Sequence, residues 1–72
     1  MTPSQKISPE NVRPGDIVEI VESLGSRGHR TICTARVLVT HDYRLHWEIV
    51  TNRGRVTVHK RDDSRTIYRV AY

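Results

Sequence analysis

Apolar and polar side chains alternate along the segment LHWEIV, residues 45–50. Leu45, Trp47 and Ile49 fall on one side of this alternation, and His46, Glu48 and Val50 fall on the other. A period of two is typical of a β-strand that has one face against a core. The segment therefore predicts a strand.

Strand patterns continue on both sides of this segment. Residues 31–40 and 56–59 also alternate, and turn-forming residues separate the three segments at 41–44 and 52–54. Residues 16–24 have apolar spacing that fits a short helix, but their β-branched side chains favour a strand. Residues 66–70 predict a fifth strand. Residues 25–29 predict a flexible loop, and 61–64 a further turn.

The composition predicts one small all-β domain. The 72 residues include nine Val, six Ile and seven Thr but only two Ala and three Leu, which is a ratio that disfavours helices. Ser8, Pro9 and Glu10 form a helix-start pattern, and Pro14 limits it to one short helical turn. We expect residues 1–7 to be a flexible tail and residues 8–72 to form a single five-stranded barrel domain.

The hydrophobic pattern also predicts the register and the core. We expect Val39 to pair with Trp47, Val37 with Ile49, and Ile49 with Val58 across a four-residue loop at 52–55, because these pairs put apolar side chains on one face. The expected core consists of Val12, Val18, Ile20, Val37, Val39, Leu45, Trp47, Ile49, Val56, Val58 and Val70.

One segment resembles a known family. Residues 12–20, VRPGDIVEI, resemble the entry to the first strand of SH3-like barrels, and of translation-type KOW members in particular. Gly25, Arg27 and Gly28 are similar to the glycine-bearing loop of the KOW motif. The resemblance covers about a quarter of the chain. It implies an SH3-like barrel that binds nucleic acid or protein and has no enzymatic activity.

The charge pattern predicts a nucleic-acid ligand. The chain has a net charge of +4, with ten Arg and two Lys, and residues 37–72 hold seven cations against four acids. Arg binds phosphate well, although a GC-rich coding sequence also explains its abundance. The expected phosphate contacts are Arg27, Arg30, Arg53, Arg55, Lys60, Arg61, Arg65 and Arg69, with Tyr43, Tyr68 and Tyr72 available for base stacking. The alternative is a solvated basic rim.

A protein-interaction module is the competing hypothesis. Small barrels offer an aromatic groove or an open edge strand, for which Tyr43, Tyr68, Tyr72 and Val50 are candidate anchors. An open edge also predicts β-strand addition or a homodimer. A small protein of a phage or mobile element that acts on a host factor fits this composition.

Catalytic and metal-binding patterns are weak, so we expect no enzyme activity, no cofactor and no metal. Cys33 alternates with core positions, and the four histidines (His29, His41, His46 and His59) lack the short spacing of metal ligands. Asp62 and Asp63 lie in a turn beside Arg61. The lone thiol, and the absence of a signal-peptide or membrane-spanning pattern, predict a cytoplasmic location without membrane association.

Overall fold

The computed structural model describes residues 5–62 and 64–70. These residues form six strands: β1 (Gln5–Ile7), β2 (Ile17–Ser23), β3 (His29–Asp42), β4 (His46–Thr51), β5 (Gly54–His59) and β6 (Arg65–Arg69). Two short 3-10 turns lie at Pro9–Asn11 and Gly25–Arg27. The described part of the chain contains no α-helix, so the prediction of an all-β protein is confirmed.

The strands form an antiparallel sheet in the order β1-β6-β2-β3-β4-β5. The long strand β3 pairs with β2 through its first half and with β4 through its second half. Strand β6 lies between β1 and β2, and pairs with both. The two edge strands of this open sheet are β1 and β5.

The structure has six strands where the sequence analysis predicted five. The additional strand is β1, which occupies the last part of the predicted tail because its three residues pair with β6. Residues 16–24 form a strand as predicted, and the short helical turn at Pro9–Asn11, with Pro9 at its first position, is also as predicted. Residues 25–27 of the predicted flexible loop form a 3-10 turn instead.

The core lies between the two halves of the bent sheet. Most of the predicted members are buried, and two further hydrophobic residues, Ala35 and Ile67, are buried with them. Two predictions were wrong, because Leu45 is 64% exposed and Val39 is 39% exposed. Trp47 is only half-buried, at the margin of the core, and Val70 is also half-buried. The buried hydrophobic residues are Val12, Val18, Ile20, Ala35, Val37, Ile49, Val56, Val58 and Ile67.

A β-bulge in β3 explains the exposure of Val39. Val37 pairs with Thr51 and Val39 pairs with Val50, so Leu38 is an extra residue opposite the β4 ladder. An extra residue reverses the alternation of side chains beyond it. Val39 therefore faces solvent although Val37 is buried.

All three predicted pairings were wrong. After the bulge, Asp42 lies opposite Trp47, and Thr40 lies opposite Ile49. On the other side of β4, Ile49 pairs with Val56, and Trp47 pairs with Val58. The predicted register assumed an unbroken alternation in β3 and a four-residue loop between β4 and β5, and neither is present.

The β4–β5 loop consists only of Asn52 and Arg53, because Thr51 and Gly54 already pair. The buried Thr51 hydroxyl donates to the Gly54 carbonyl and accepts from the Arg53 N–H. The Asn52 side chain accepts from the Arg36 N–H at 3.0 Å, which ties the turn to β3. These hydrogen bonds hold the turn in one orientation relative to the bend of β3.

Candidate nucleic-acid interface

Three connections of the chain meet at one end of the molecule. The Lys60 N–H donates to the Leu45 carbonyl at 3.0 Å, which joins the β5–β6 turn to the β3–β4 turn. The Ser23 N–H donates to the Ser64 carbonyl at 2.6 Å, which joins the same turn to the end of β2. We call this region the loop end; it comprises residues 24–28, 43–45, 60–62 and 64 with the strand ends beside them.

The predicted phosphate-binding residues do not form one patch. Five of them lie at or beside the loop end: Arg27, Arg30, Lys60, Arg61 and Arg65. Arg53 and Arg55 belong to the β4–β5 hairpin, at the opposite end of β5. Arg69 lies at the far end of β6, where its guanidinium contacts Asp16 and the Asn11 carbonyl, both at 3.2 Å.

Four of the eight predicted cations already have carboxylate partners. Glu22 accepts Arg30 at 3.1 Å and Arg65 at 3.5 Å, and thus links three adjacent strands. Lys60 pairs with Asp42, and Arg69 pairs with Asp16. An ion-paired cation has less free charge to offer a phosphate, so these four are weaker candidates than the sequence suggested.

The other four cations have no carboxylate within 4.0 Å among residues 5–62 and 64–70. They are Arg27, Arg53, Arg55 and Arg61, and all four are exposed. Exposed guanidinium groups without an internal partner are free to bind phosphate oxygens with two parallel hydrogen bonds. They remain the best candidates for phosphate contacts.

The predicted stacking residues lie in different places. Tyr43 is 47% exposed and stands directly before the two-residue β3–β4 loop. Tyr68 is half-buried on the other part of the sheet, where it lies opposite Lys6 on β1 and Glu19 on β2. Tyr72 lies outside the described residues. Of the two described tyrosines, Tyr43 is therefore the stronger candidate for a base contact.

Four aromatic rings form a continuous row across β3, β4 and β5. Tyr43 stacks on His46, with centroids 4.8 Å apart and planes inclined by 30°. His41 lies 6.0 Å from Tyr43 on one side of the row, and His59 lies 6.1 Å from His46 on the other. We call His41, Tyr43, His46 and His59 the ring row. It lies on the face of the sheet opposite to the buried Ile49, Val56 and Val58.

The ring row was not predicted from the sequence. Because residues 41–44 were predicted to form a turn, Tyr43 and His46 were not recognised as neighbours. They lie opposite each other, with only Arg44 and Leu45 between them. The sequence did contain one indication of the ring row. His41 and Tyr43 are two residues apart, so their side chains lie on the same face of an extended chain.

Cations border the ring row at its His59 end. An open groove of about 780 Å³ beside His59 is lined by Arg44, Leu45, Lys60, Arg61 and Asp62. Arg44 was not among the residues predicted to contact phosphate. Arg55 lies on the same face of β5 as His59, four residues before it and opposite Val50.

Asp62 is the carboxylate within this groove. Its oxygen accepts from the Ser64 N–H at 2.9 Å. The backbone and side-chain hydrogen bonds from Ser64 lower the pKa of Asp62, so this carboxylate stays charged at neutral pH. It therefore reduces the positive potential of the groove.

Neither catalysis nor a metal site gains support from the geometry. Burial raises the pKa of the Cys33 thiol, against a smaller opposite effect of the Arg53 charge, so the thiol is neutral at pH 7. Within residues 5–62 and 64–70, no group of three or more His, Cys, Asp or Glu side chains could hold a metal ion.

A second concave surface lies along the seam between β6 and β5. This cleft of about 630 Å³ is lined by Ile7, Trp47, Val58 and Ile67, with Lys6, Lys60 and Arg65 at its margin. The Lys60 ammonium lies 4.9 Å from the centre of the Trp47 ring. Trp47 Nε1–H is buried and has no hydrogen-bond partner among the described residues. Arg65 crosses the seam and donates to the Thr57 carbonyl.

Comparison of the chain with protein-family models, with curated proteins and with solved structures found no match. Among the described residues, no helix is long and apolar enough to cross a membrane.

Proposed function

We propose that this protein is a small nucleic-acid-binding module that acts by binding and not by catalysis. The observation that carries the proposal is the set of exposed arginines without carboxylate partners among the described residues: Arg27, Arg53, Arg55 and Arg61. Unpaired arginines on turns and solvent faces provide the electrostatic contribution on which phosphate binding depends. The neutral, partly buried Cys33 thiol supports a role without nucleophilic chemistry.

We also infer that β2 to β6 are related to SH3-like barrels. Two features support this inference. Strand β3 belongs to both halves of the sheet, so the sheet bends around one core. The segment with the family resemblance leads into β2, and its Gly15 N–H donates to the Val37 carbonyl of β3 at 2.8 Å.

The experiment is a titration of labelled single- and double-stranded DNA and RNA at several salt concentrations. Replacing Arg53 and Arg55 together by Ala is expected to lower the slope of log affinity against log salt by up to about two for duplex DNA. The reason is that each phosphate the protein no longer contacts keeps its condensed counterions. Affinity is expected to fall equally on all sequences, since phosphate contacts carry no base information.

The matched control is Lys6→Ala/Arg13→Ala, which removes the same net charge from residues outside the proposed contacts. Both are exposed, and neither side chain forms an ion pair within the described chain. This control is expected to leave the slope nearly unchanged. A wild-type protein that binds no nucleic acid at low salt, or two double variants with equal slopes, would contradict the proposal.

A protein-interaction module remains the second candidate, and the seam cleft favours it. Trp47 lines the cleft with its ring beside the Lys60 ammonium, and β5 is an edge strand to which a peptide can add. The test is retention of a discrete protein from nuclease-treated lysate by the wild type. Loss of that protein with Trp47→Phe, which keeps an aromatic ring but makes the wall of the cleft smaller, would support this function.

A further inference from the structure

The ring row and its bordering cations point to one class of nucleic acid. We infer that the protein binds single strands in preference to duplexes, with a base stacked on Tyr43 and phosphates held by Arg44 and Arg61. This inference rests on the proposed function and deepens it. It names both the form of the ligand and a residue that contacts bases.

The exposed ring of Tyr43 favours a single strand as the ligand. Bases in a duplex are stacked on each other, so an aromatic side chain at the surface gains a base contact only when the strand is single. Tyr43 is 47% exposed and is the middle of three rings, with His46 stacked against it at 4.8 Å. Its ring is therefore fixed in orientation and still open to solvent.

A backbone hydrogen bond holds Tyr43 in its position beside His46. The Tyr43 N–H donates to the His46 carbonyl at 2.9 Å, which closes the loop of Arg44 and Leu45. Tyr43 directly follows β3 and His46 begins β4, so this hydrogen bond holds the two residues opposite each other. A platform fixed before binding costs less conformational entropy when a base docks on it.

Two arginines in the groove are placed to hold the phosphates. Arg44 and Arg61 line the groove beside His59, at the end of the ring row. Neither arginine has a carboxylate partner within ion-pair distance in the described structure. A cationic groove beside exposed aromatic rings is the arrangement by which single-strand binders follow a backbone while they stack its bases.

Asp62 is expected to weaken phosphate binding in this groove. Its carboxylate lies in the same groove as Arg44 and Arg61 and is kept ionised by its hydrogen bonds with Ser64. A phosphate placed there is repelled by this charge. Asp62→Asn keeps an acceptor oxygen for the Ser64 N–H, so the turn is retained while the repulsion is removed.

The experiment measures binding of labelled dT12, rU12 and a 12-base-pair duplex of random sequence. The wild type is expected to bind the single strands more tightly than the duplex. Tyr43→Ala is expected to weaken single-strand binding by about five- to a hundredfold, and Tyr43→Phe, which keeps the ring, to stay within about twofold of wild type. Asp62→Asn is expected to tighten it.

Two further measurements separate stacking from other effects. Tyr43→Ala is expected to leave the salt slope unchanged, because it removes no charge, while Arg44→Ala/Arg61→Ala is expected to lower the slope. Tyr43→Leu keeps apolar bulk without a π face, and is expected to bind as weakly as Tyr43→Ala. This variant serves as the test if Tyr43→Ala does not fold, as judged by its far-UV circular dichroism.

The outcomes distinguish the inference from the proposed function. Equal affinity for single strands and duplex, together with an unchanged affinity of Tyr43→Ala, would overturn the inference and leave nucleic-acid binding in place. A wild type that binds none of the three probes at low salt would overturn both. Tyr43→Leu with wild-type affinity would overturn base stacking at this residue.

Discussion

Ile67 on β6 lies between two strands, because it pairs with Ile7 on β1 and with Ile20 on β2. Its side chain is 1% exposed and packs in the same cluster as Ile20 and Ile49. Leu45, in contrast, lies in the two-residue β3–β4 loop and is 64% exposed. The two side chains have equal apolar size, so only their positions differ.

This difference gives a matched pair of variants. Ile67→Ala is expected to lower the free energy of unfolding by about 2–5 kcal/mol, because it removes buried methyl groups and leaves a cavity. Leu45→Ala is expected to change it by about 0.5 kcal/mol or less. Urea denaturation followed by circular dichroism measures both. If Ile67→Ala does not fold, Ile67→Val is expected to cost about 0.5–1.5 kcal/mol. A larger loss for Leu45→Ala than for the Ile67 variant would contradict this packing.

Residue types and alternation were sufficient to predict most of the core, since Val18, Ile20, Val37 and Ile49 are buried as expected. They could not reveal the bulge at Leu38, because an inserted residue keeps the same composition while it reverses the faces beyond it. For the same reason the register of β3 against β4 was wrong, and Tyr43 and His46 were not recognised as neighbours. Ion pairs such as Arg65 with Glu22 join residues distant in sequence, and local patterns do not predict them.

At the scale of the element, the β4–β5 hairpin depends on one glycine. Gly54 directly follows the loop of Asn52 and Arg53 and has a φ of +124°. A Cβ at this position would meet no atom within 4 Å, so space is not the constraint. The constraint is the backbone conformation, which L-residues rarely adopt.

Gly54→Ala is accordingly expected to destabilise the protein by about 1–3 kcal/mol through backbone strain alone. The matched control is Gly25→Asn. Gly25 also has open space around its Cβ position, but its φ of +67° is in the left-handed region that asparagine tolerates. Thermal unfolding of both variants measures the difference. Equal melting temperatures for the two would show that the hairpin adapts its backbone and that Gly54 is not required.

At the scale of the whole molecule, Arg65 holds the open sheet together across its seam. Its guanidinium contacts Glu22 on β2 and the Thr57 carbonyl on β5, so one side chain joins both halves of the sheet. It also occupies a carbonyl of the free β5 edge, which would otherwise be available to another chain. Arg30 contacts the same Glu22 but is 64% exposed and makes no such link.

Arg65→Ala is thus expected to cost about 1–3 kcal/mol of unfolding free energy, because it removes a hydrogen bond from a charged donor that is partly buried. Arg30→Ala removes an equal charge beside the same carboxylate, and is expected to cost about 0.5 kcal/mol or less. Sedimentation velocity is expected to show more self-association for Arg65→Ala than for Arg30→Ala. Equal stability and equal association states would contradict a special role of Arg65.

The position of β6 between β1 and β2 has a consequence for how the sheet forms. Strands β2, β3 and β4 each pair with the next strand through a short connection, so those ladders close small loops. Both ladders of β6 instead join residues from opposite parts of the chain, as in the pairing of Val18 with Arg69, and carry a much larger loop-closure cost. Until β6 docks, β2 has one unpaired side, although it is an inner strand of the finished sheet. We therefore expect docking of β6 to be the slow, topology-limited step of folding, and its release to leave the backbone of β2 unpaired on one side.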